Sequence, residues 1–214
     1  MGKRKARPTL FLDAGNTVVF LDHEVVARIA DGDAAALRAA EGEAKRAYAR
    51  ALRDGSSHES GWRVFMSALL EAGGVEDAGL EKIAALEAEH ARMNLWRRVP
   101  EDLPAALDAF EAAGWRVGVV SNSEGMLVPL FDAVGLGDRF DVIVDSHHVG
   151  VRKPDPAIFE IAMDAMNTDA AHSVYAGDIP EVDLVGAHAA GLRAYLVDPL
   201  GYYEDGAYID ADRA

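Results

Sequence analysis

Five short apolar runs, each broken off by small or polar residues, constrain the fold of this chain more than any other feature. They are Thr9–Leu12, Val117–Val120, Val142–Val144, Val174–Ala176 and Ala194–Val197. A run without polar alternation is apolar on both faces. Strands of that kind belong to a parallel sheet covered by helices on its two sides. The segments between the later runs supply such helices. Leu103 to Ala113 repeats apolar residues at helical spacing, and Gly114 stands just past its end. Asp155-Pro156 opens a second helix, with Asp155 as its N-cap, and Pro180 to Ala190 forms a third, closed by Gly191. The expected fold is therefore α/β: a Rossmann-like parallel sheet of five strands, the first of them central, with helices on both faces.

The alternation is interrupted once. Between Asp22 and Arg98 the sequence is rich in Ala, Glu, Leu and Arg and reads as helical throughout. Asp33–Arg53, Glu59–Ala72 and Glu76–Leu95 form three amphipathic stretches, separated by Asp54-Gly55-Ser56-Ser57 and by Gly73-Gly74. The expected division is an α/β core from residues 1–21 and 99–214 and a small all-helical cap domain, residues 22–98, over the carboxyl edge of the sheet. A chain of 214 residues has room for both. The formal net charge of −15 argues against nucleic acid and anionic membranes as partners. No apolar run has the length of a bilayer span. Without cysteine the chain has neither disulfides nor thiolate metal sites. The start, Met1 to Pro8, is basic but lacks the apolar stretch of a secretory signal, and it reads as a solvated tip. A cytoplasmic protein with a small-molecule partner is the expectation; oligomeric state and the role of the acidic, aromatic tail from Gly201 are not readable.

In an open parallel sheet, ligands bind outside the carboxyl ends of the strands. The first run ends at Asp13, the second at Ser121-Asn122, and the loop after the third carries Lys153. The fourth ends at Gly177-Asp178, with Asp183 five residues beyond Asp178. Each residue alone has an ordinary explanation. Asp13 can open a turn, Ser121 with Glu124 matches a capping box, Lys153 can be a surface lysine, and either Asp178 or Asp183 can cap a helix. Their joint occurrence at successive strand ends points to one polar site. His147-His148 lacks further ligands at metal spacing and reads as loop or edge. Trp62, Trp96 and Trp115 read as packing residues.

Asp13-Ala14-Gly15-Asn16-Thr17, Ser121-Asn122, Val149-Gly150-Val151-Arg152-Lys153-Pro154-Asp155-Pro156, and Gly177-Asp178 with Asp183-Leu184-Val185-Gly186-Ala187 resemble, in order, the four motifs of the haloacid dehalogenase superfamily. The resemblance implies a magnesium-dependent phosphatase acting on a small phosphorylated metabolite. Asp13 would attack phosphorus to give an aspartyl-phosphate, with Lys153, Ser121 and Asn122 holding the phosphate. Mg²⁺ would be held by Asp13, the Gly15 carbonyl and Asp178, supported by Asp183. Hard oxygen ligands beside a phosphate suit that ion, and its charge lets an anionic substrate enter an acidic pocket.

One position departs from the pattern. Phosphatases of the superfamily generally carry a second Asp where this chain has Gly15, to protonate the leaving group. Glu59, His58 and Arg63 of the cap are possible substitutes; otherwise the leaving group departs without a proton. The alternatives to a phosphatase are a 2-haloacid dehalogenase, a phosphonate hydrolase and a non-catalytic binding module that keeps the fold. The first is compatible with Gly15, but Asp178 and Pro180 stand where such enzymes resemble one another in having hydroxyl and amide side chains. The second needs a cap lysine, for which Lys45 and Lys82 are the candidates.

Overall fold

A computed structural model describes residues 7–198 together with Gly201 and Tyr203. Lys3, Arg4 and Lys5 of the basic start, and nearly all of the acidic tail, lie outside the described residues. In chain order, strand β1 (Thr9–Leu12) is followed by the two-residue strand β2 (Phe20–Leu21). Four helices come next: α1 (His23–Ala30), α2 (Ala34–Arg53), α3 (His58–Ala72) and α4 (Leu80–Arg92). Strand β3 (Trp96–Arg98), helix α5 (Leu103–Ala112), strand β4 (Arg116–Ser121) and helix α6 (Leu127–Ala133) follow. The chain then runs through β5 (Val142–Asp145), the one-turn α7 (Ser146–Val149) and α8 (Ala157–Ala165). It continues through β6 (Ser173–Gly177), α9 (Val185–Ala189) and β7 (Arg193–Leu196).

Five strands form one parallel sheet in the order β5-β4-β1-β6-β7. β1 is central, with Thr9 opposite Arg116 on one side and Ser173 on the other. As the unalternating apolar runs require, the sheet is covered on both faces. Phe11, Val120, Val144 and Tyr175 pack with Ile158, Phe159, Ala162 and Met163 of α8 in one of the buried clusters. Ser121 lies inside β4 and the next helix begins only at Leu127, so the capping-box alternative for Ser121 does not hold.

The chain divides into two compact units, one of them Leu21–Trp96. That unit has its own core. Leu37, Ala40 and Ala44 lie along one face of α2, and Phe65, Met66, Leu69 and Leu70 along one face of α3. Asp33 and Ser57 cap these helices through the backbone N–H groups of Ala36 and Ser60. The third expected helix is shorter than Glu76–Leu95, because Asp77 takes a left-handed turn (φ 50°) and the helix starts at Leu80. β2 and β3 form a two-stranded ribbon where the chain passes between units. Strands of two and three residues are too short to show a period, which is why the sequence reading missed them.

Two helices of the α/β unit also differ from expectation. Asp155 is not the N-cap of α8: Pro156 takes that position and the helix begins at Ala157, whose N–H donates to the Asp155 carboxylate just ahead of it. The stretch after Pro180 is not one α-helix. It opens with a π-helical turn, Pro180–Leu184, before α9.

Candidate active site

The site is built where β1 stops. The Asp13 N–H still donates to Ala176 O at 2.9 Å, continuing the pairing with β6. The chain then turns at once: Ala14 O accepts from both Val18 N and Val19 N, and Asn16 adopts a left-handed conformation (φ 53°). Asn is among the residues that tolerate that conformation. Asp13 is thereby left at the strand end, buried. Asp178 follows β6 in the same way. Asp183 reaches the site from the π-helical turn, where its Oδ2 accepts from Ile179 N at 2.9 Å. A side chain at Gly177 would place a Cβ 2.4 Å from Asp183 Cγ, so glycine there makes room for that carboxylate.

One carboxylate oxygen each from Asp13, Asp178 and Asp183 lie within 4.8 Å of one another, all three residues buried. Into this group comes Lys153, itself buried, with Nζ 2.6 Å from Asp13 Oδ1 and 2.6 Å from Asp183 Oδ1. The structure therefore brings Asp13, Lys153, Asp178 and Asp183 together. Three carboxylates against one ammonium leave a buried cluster with excess negative charge. Burial pushes the Asp13 carboxyl up to about 7, against the pull of Lys153 and with the help of Asp183 and Asp178. Burial alone would lower Lys153, yet Asp13 and Asp183 outweigh it and hold the ammonium charged. A divalent cation with a preference for hard oxygen fits such a donor set, because it removes the charge imbalance that raises Asp13.

Ser121 is the buried last residue of β4. The side chain of Asn122, which the resemblance placed at the phosphate, meets the backbone of Lys153. Its amide Nδ2 donates to Lys153 O at 2.9 Å and its Oδ1 accepts from Lys153 N at 2.8 Å. Both ends of the amide thus grip the backbone of Lys153. Two participants went unnoticed in the sequence. Tyr175 of β6 puts its hydroxyl 2.8 Å from Lys153 Nζ and 2.7 Å from Asp183 Oδ1. Asn16 donates from Nδ2 to Asp178 Oδ2 at 3.2 Å. Tyr175 hid inside an apolar run; Asn16 could have been suspected as a polar residue in the turn after Asp13.

Other candidates are accounted for elsewhere. Lys82 donates to Ala30 O and Glu76 O, a structural role in the helical unit. Lys45 is 3% exposed on α2, one turn from the buried Glu41, whose Oε2 lies 2.9 Å from His23 Nε2. Arg63 is paired with Glu87 and lies 3.9 Å from Glu59 on an exposed face; the side chain of His58 lies outside the described atoms. His147 and His148 occupy α7, ring against ring at 5.4 Å. Trp62, Trp96 and Trp115 each pack on another ring: His90, Phe65 and Phe110.

A family profile described as haloacid dehalogenase-like hydrolase matches residues 8–191. The chain belongs to the haloacid dehalogenase-like hydrolases. Among curated relatives, it is 30% identical to haloacid dehalogenase-like hydrolase domain-containing protein 3 of Bos taurus over 68% of this chain and 59% of that protein. It is 34% identical to a phosphoserine phosphatase of Thermus thermophilus over 64% of this chain and 53% of the other. The chain spans about half the length of the curated relatives it matches. Among solved structures, the hydrolase YfnB of Bacillus subtilis superposes with a TM-score of 0.64 at 20% identity, covering 89% of this chain and 86% of that one. A 2-haloacid dehalogenase of Pseudomonas syringae gives 0.56 at 25% identity, covering 98% and 92%. This hydrolase has no described helix long and apolar enough to cross a membrane.

Proposed function

We propose that this hydrolase is a magnesium-dependent phosphatase of small phosphorylated metabolites, working in the cytoplasm through an aspartyl-phosphate on Asp13. The observation that carries the proposal is the triad of buried carboxylates, Asp13, Asp178 and Asp183, converging within 4.8 Å around a lysine. A dehalogenase displaces halide with a carboxylate and needs no such concentration of negative charge. The relatives named as phosphatases support the same reading.

In the proposed reaction Asp13 attacks phosphorus and the bond from phosphorus to the leaving oxygen breaks. Lys153 turns one N–H from Asp13 to the transferring group and offsets its growing charge, while the Ser121 hydroxyl holds an equatorial oxygen. Magnesium, held by Asp13, Asp178 and the Gly15 carbonyl with Asp183 in support, would supply the charge that lets an anionic ester meet three carboxylates. Water then attacks the aspartyl-phosphate and releases orthophosphate. The helical segment 22–98 serves in this reading as the cap that selects the substrate.

A second reading keeps one specific observation on its side. Gly15 and the 25% identity to a 2-haloacid dehalogenase over 98% of this chain suit dehalogenation. Metal dependence separates the two. Hydrolysis of p-nitrophenyl phosphate should require Mg²⁺, and Asp178→Ala should lower it by about 10³-fold or more with the fold retained by circular dichroism. Dechlorination of 2-chloropropionate in excess chelator, without phosphate release, would reverse the choice.

A further inference from the structure

The ammonium of Lys153 has three protons, and each has an acceptor: Asp13 Oδ1 at 2.6 Å, Asp183 Oδ1 at 2.6 Å and Tyr175 Oη at 2.8 Å. The third acceptor is neither a carboxylate nor at a strand end. Tyr175 lies in the middle of β6, opposite Phe11, with no exposed surface and its ring edge-on to Phe159 at 5.0 Å. Its hydroxyl accepts from Lys153 and has one proton to give. Asp183 Oδ1, at 2.7 Å, is nearer than Val120 O at 3.3 Å. Asp183 is held in turn by the backbone of Ile179.

A buried tyrosine hydroxyl is satisfied by one partner, and Val120 O is within reach to be that partner. Two charged partners are more than packing requires. They make the Tyr175–Asp183 side of the ammonium a fixed mount. The bond to Asp13 is the one that must open when Asp13 attacks another atom.

We infer that Tyr175 is a positioning residue for Lys153. Together with Asp183 it holds the ammonium at two points, so that the lysine pivots in place as its third N–H leaves Asp13 for the group being transferred. The inference rests on the reading of Lys153 as the residue that offsets charge on that group.

Tyr175→Phe removes the hydroxyl and keeps the ring. The turnover number should fall about tenfold while KM stays within about twofold, because the charge of the ammonium survives and its placement in the transition state does not. The assay uses whichever of p-nitrophenyl phosphate and 2-chloropropionate the wild type turns over, so a wrong choice of reaction does not remove the test. The Lys153 Nζ signal in ¹⁵N NMR, assigned by its loss in Lys153→Arg, reports the mount without any substrate. It should be slowly exchanging in the wild type and shifted or broadened in Tyr175→Phe. A purely structural tyrosine would lower the melting temperature and leave both kcat and the Nζ signal unchanged, and that result overturns the inference. So does a reduced kcat with an unchanged Nζ signal. If the wild type turns over neither substrate, the proposed function falls, and the NMR comparison still decides whether Tyr175 holds Lys153.

Discussion

A nucleophilic carboxylate is useful only when ionised, and Asp13 is buried beside two others. With its carboxyl pushed up to about 7 from an ordinary 3.8, metal-free Asp13 keeps its proton through mildly acid conditions. In that window the folded state binds a proton that the unfolded chain has released, so this group makes metal-free stability fall as pH rises from about 4 to 7. A cation entering the site must displace the same proton. Mg²⁺ binding at pH 6 should therefore release a proton, and apparent affinity should rise with pH and level off above about 7. Calorimetry in two buffers of different ionisation enthalpy measures this, and binding without proton release at pH 6 would contradict it. Gly15 sets a second expectation. Among the described groups around Asp13, Lys153, Tyr175 and Asp183 are bonded to one another, and Gly15 has no side chain to add an acid. Aryl and acyl phosphates should turn over well and alkyl phosphates poorly. Gly15→Asp should raise alkyl phosphate turnover by about 10- to 100-fold, since a positioned acid contributes at least that much. Equal rates on alkyl and aryl esters in the wild type would mean that another group supplies the proton. At this scale the sequence was informative where a charge interrupts an apolar run, as at Asp13 and Asp178. It was silent on Tyr175, whose hydroxyl looks like core until Lys153 is placed beside it. Nor did it show that the Asn122 amide holds the Lys153 backbone.

Elements bring these residues into register through close backbone contacts. Gly186 in α9 is one. A Cβ there would lie 2.9 Å from both Cα and O of Pro154 and 2.7 Å from Phe159 Cε2. Backbone on the neighbouring side cannot yield cheaply, so Gly186→Ala should force apart α9 and the loop that carries Lys153. The expected cost is about 1–3 kcal/mol of stability, with turnover reduced at temperatures where the variant remains folded. A variant with wild-type melting temperature and rate would show that the loop adjusts freely. β1, β4 and β6 were legible because burial on both faces leaves a continuous apolar run; the edge strand β7 does not share that cause, since its Arg193 and Tyr195 are exposed. The π-helical turn at Pro180–Leu184 was not, since its pattern of one buried acid among apolar residues also suits an α-helix. The ribbon of β2 and β3 left no periodic trace, and the start of α4 depended on a left-handed Asp77 that composition does not reveal.

For the whole molecule, the charge balance of 36 acidic against 21 basic residues predicts a repulsive field toward anionic substrates. Raising ionic strength should therefore increase kcat/KM for a phosphate ester modestly, by about two- to threefold between low and 0.3 M salt, where screening reaches within a few ångströms. A decrease would mean that a local positive field governs approach. The α/β class and the helical character of the inserted segment were both readable from periodicity; the segment was expected at residues 22–98, and the second compact unit spans Leu21–Trp96. The strand order has a consequence for the life of the chain. β1 is made well before both of its neighbours, Arg116–Ser121 and Ser173–Gly177. Until those segments are made, Asp13 is an ordinary carboxylate in water, with no lysine, no companion acids and no pocket. Such long-range closure is slow and leaves apolar segments waiting for partners. A nascent chain interrupted before Asp178 and Asp183 carries a nucleophile but no active centre, so reactivity is gained only once the segment through Asp183 has been made.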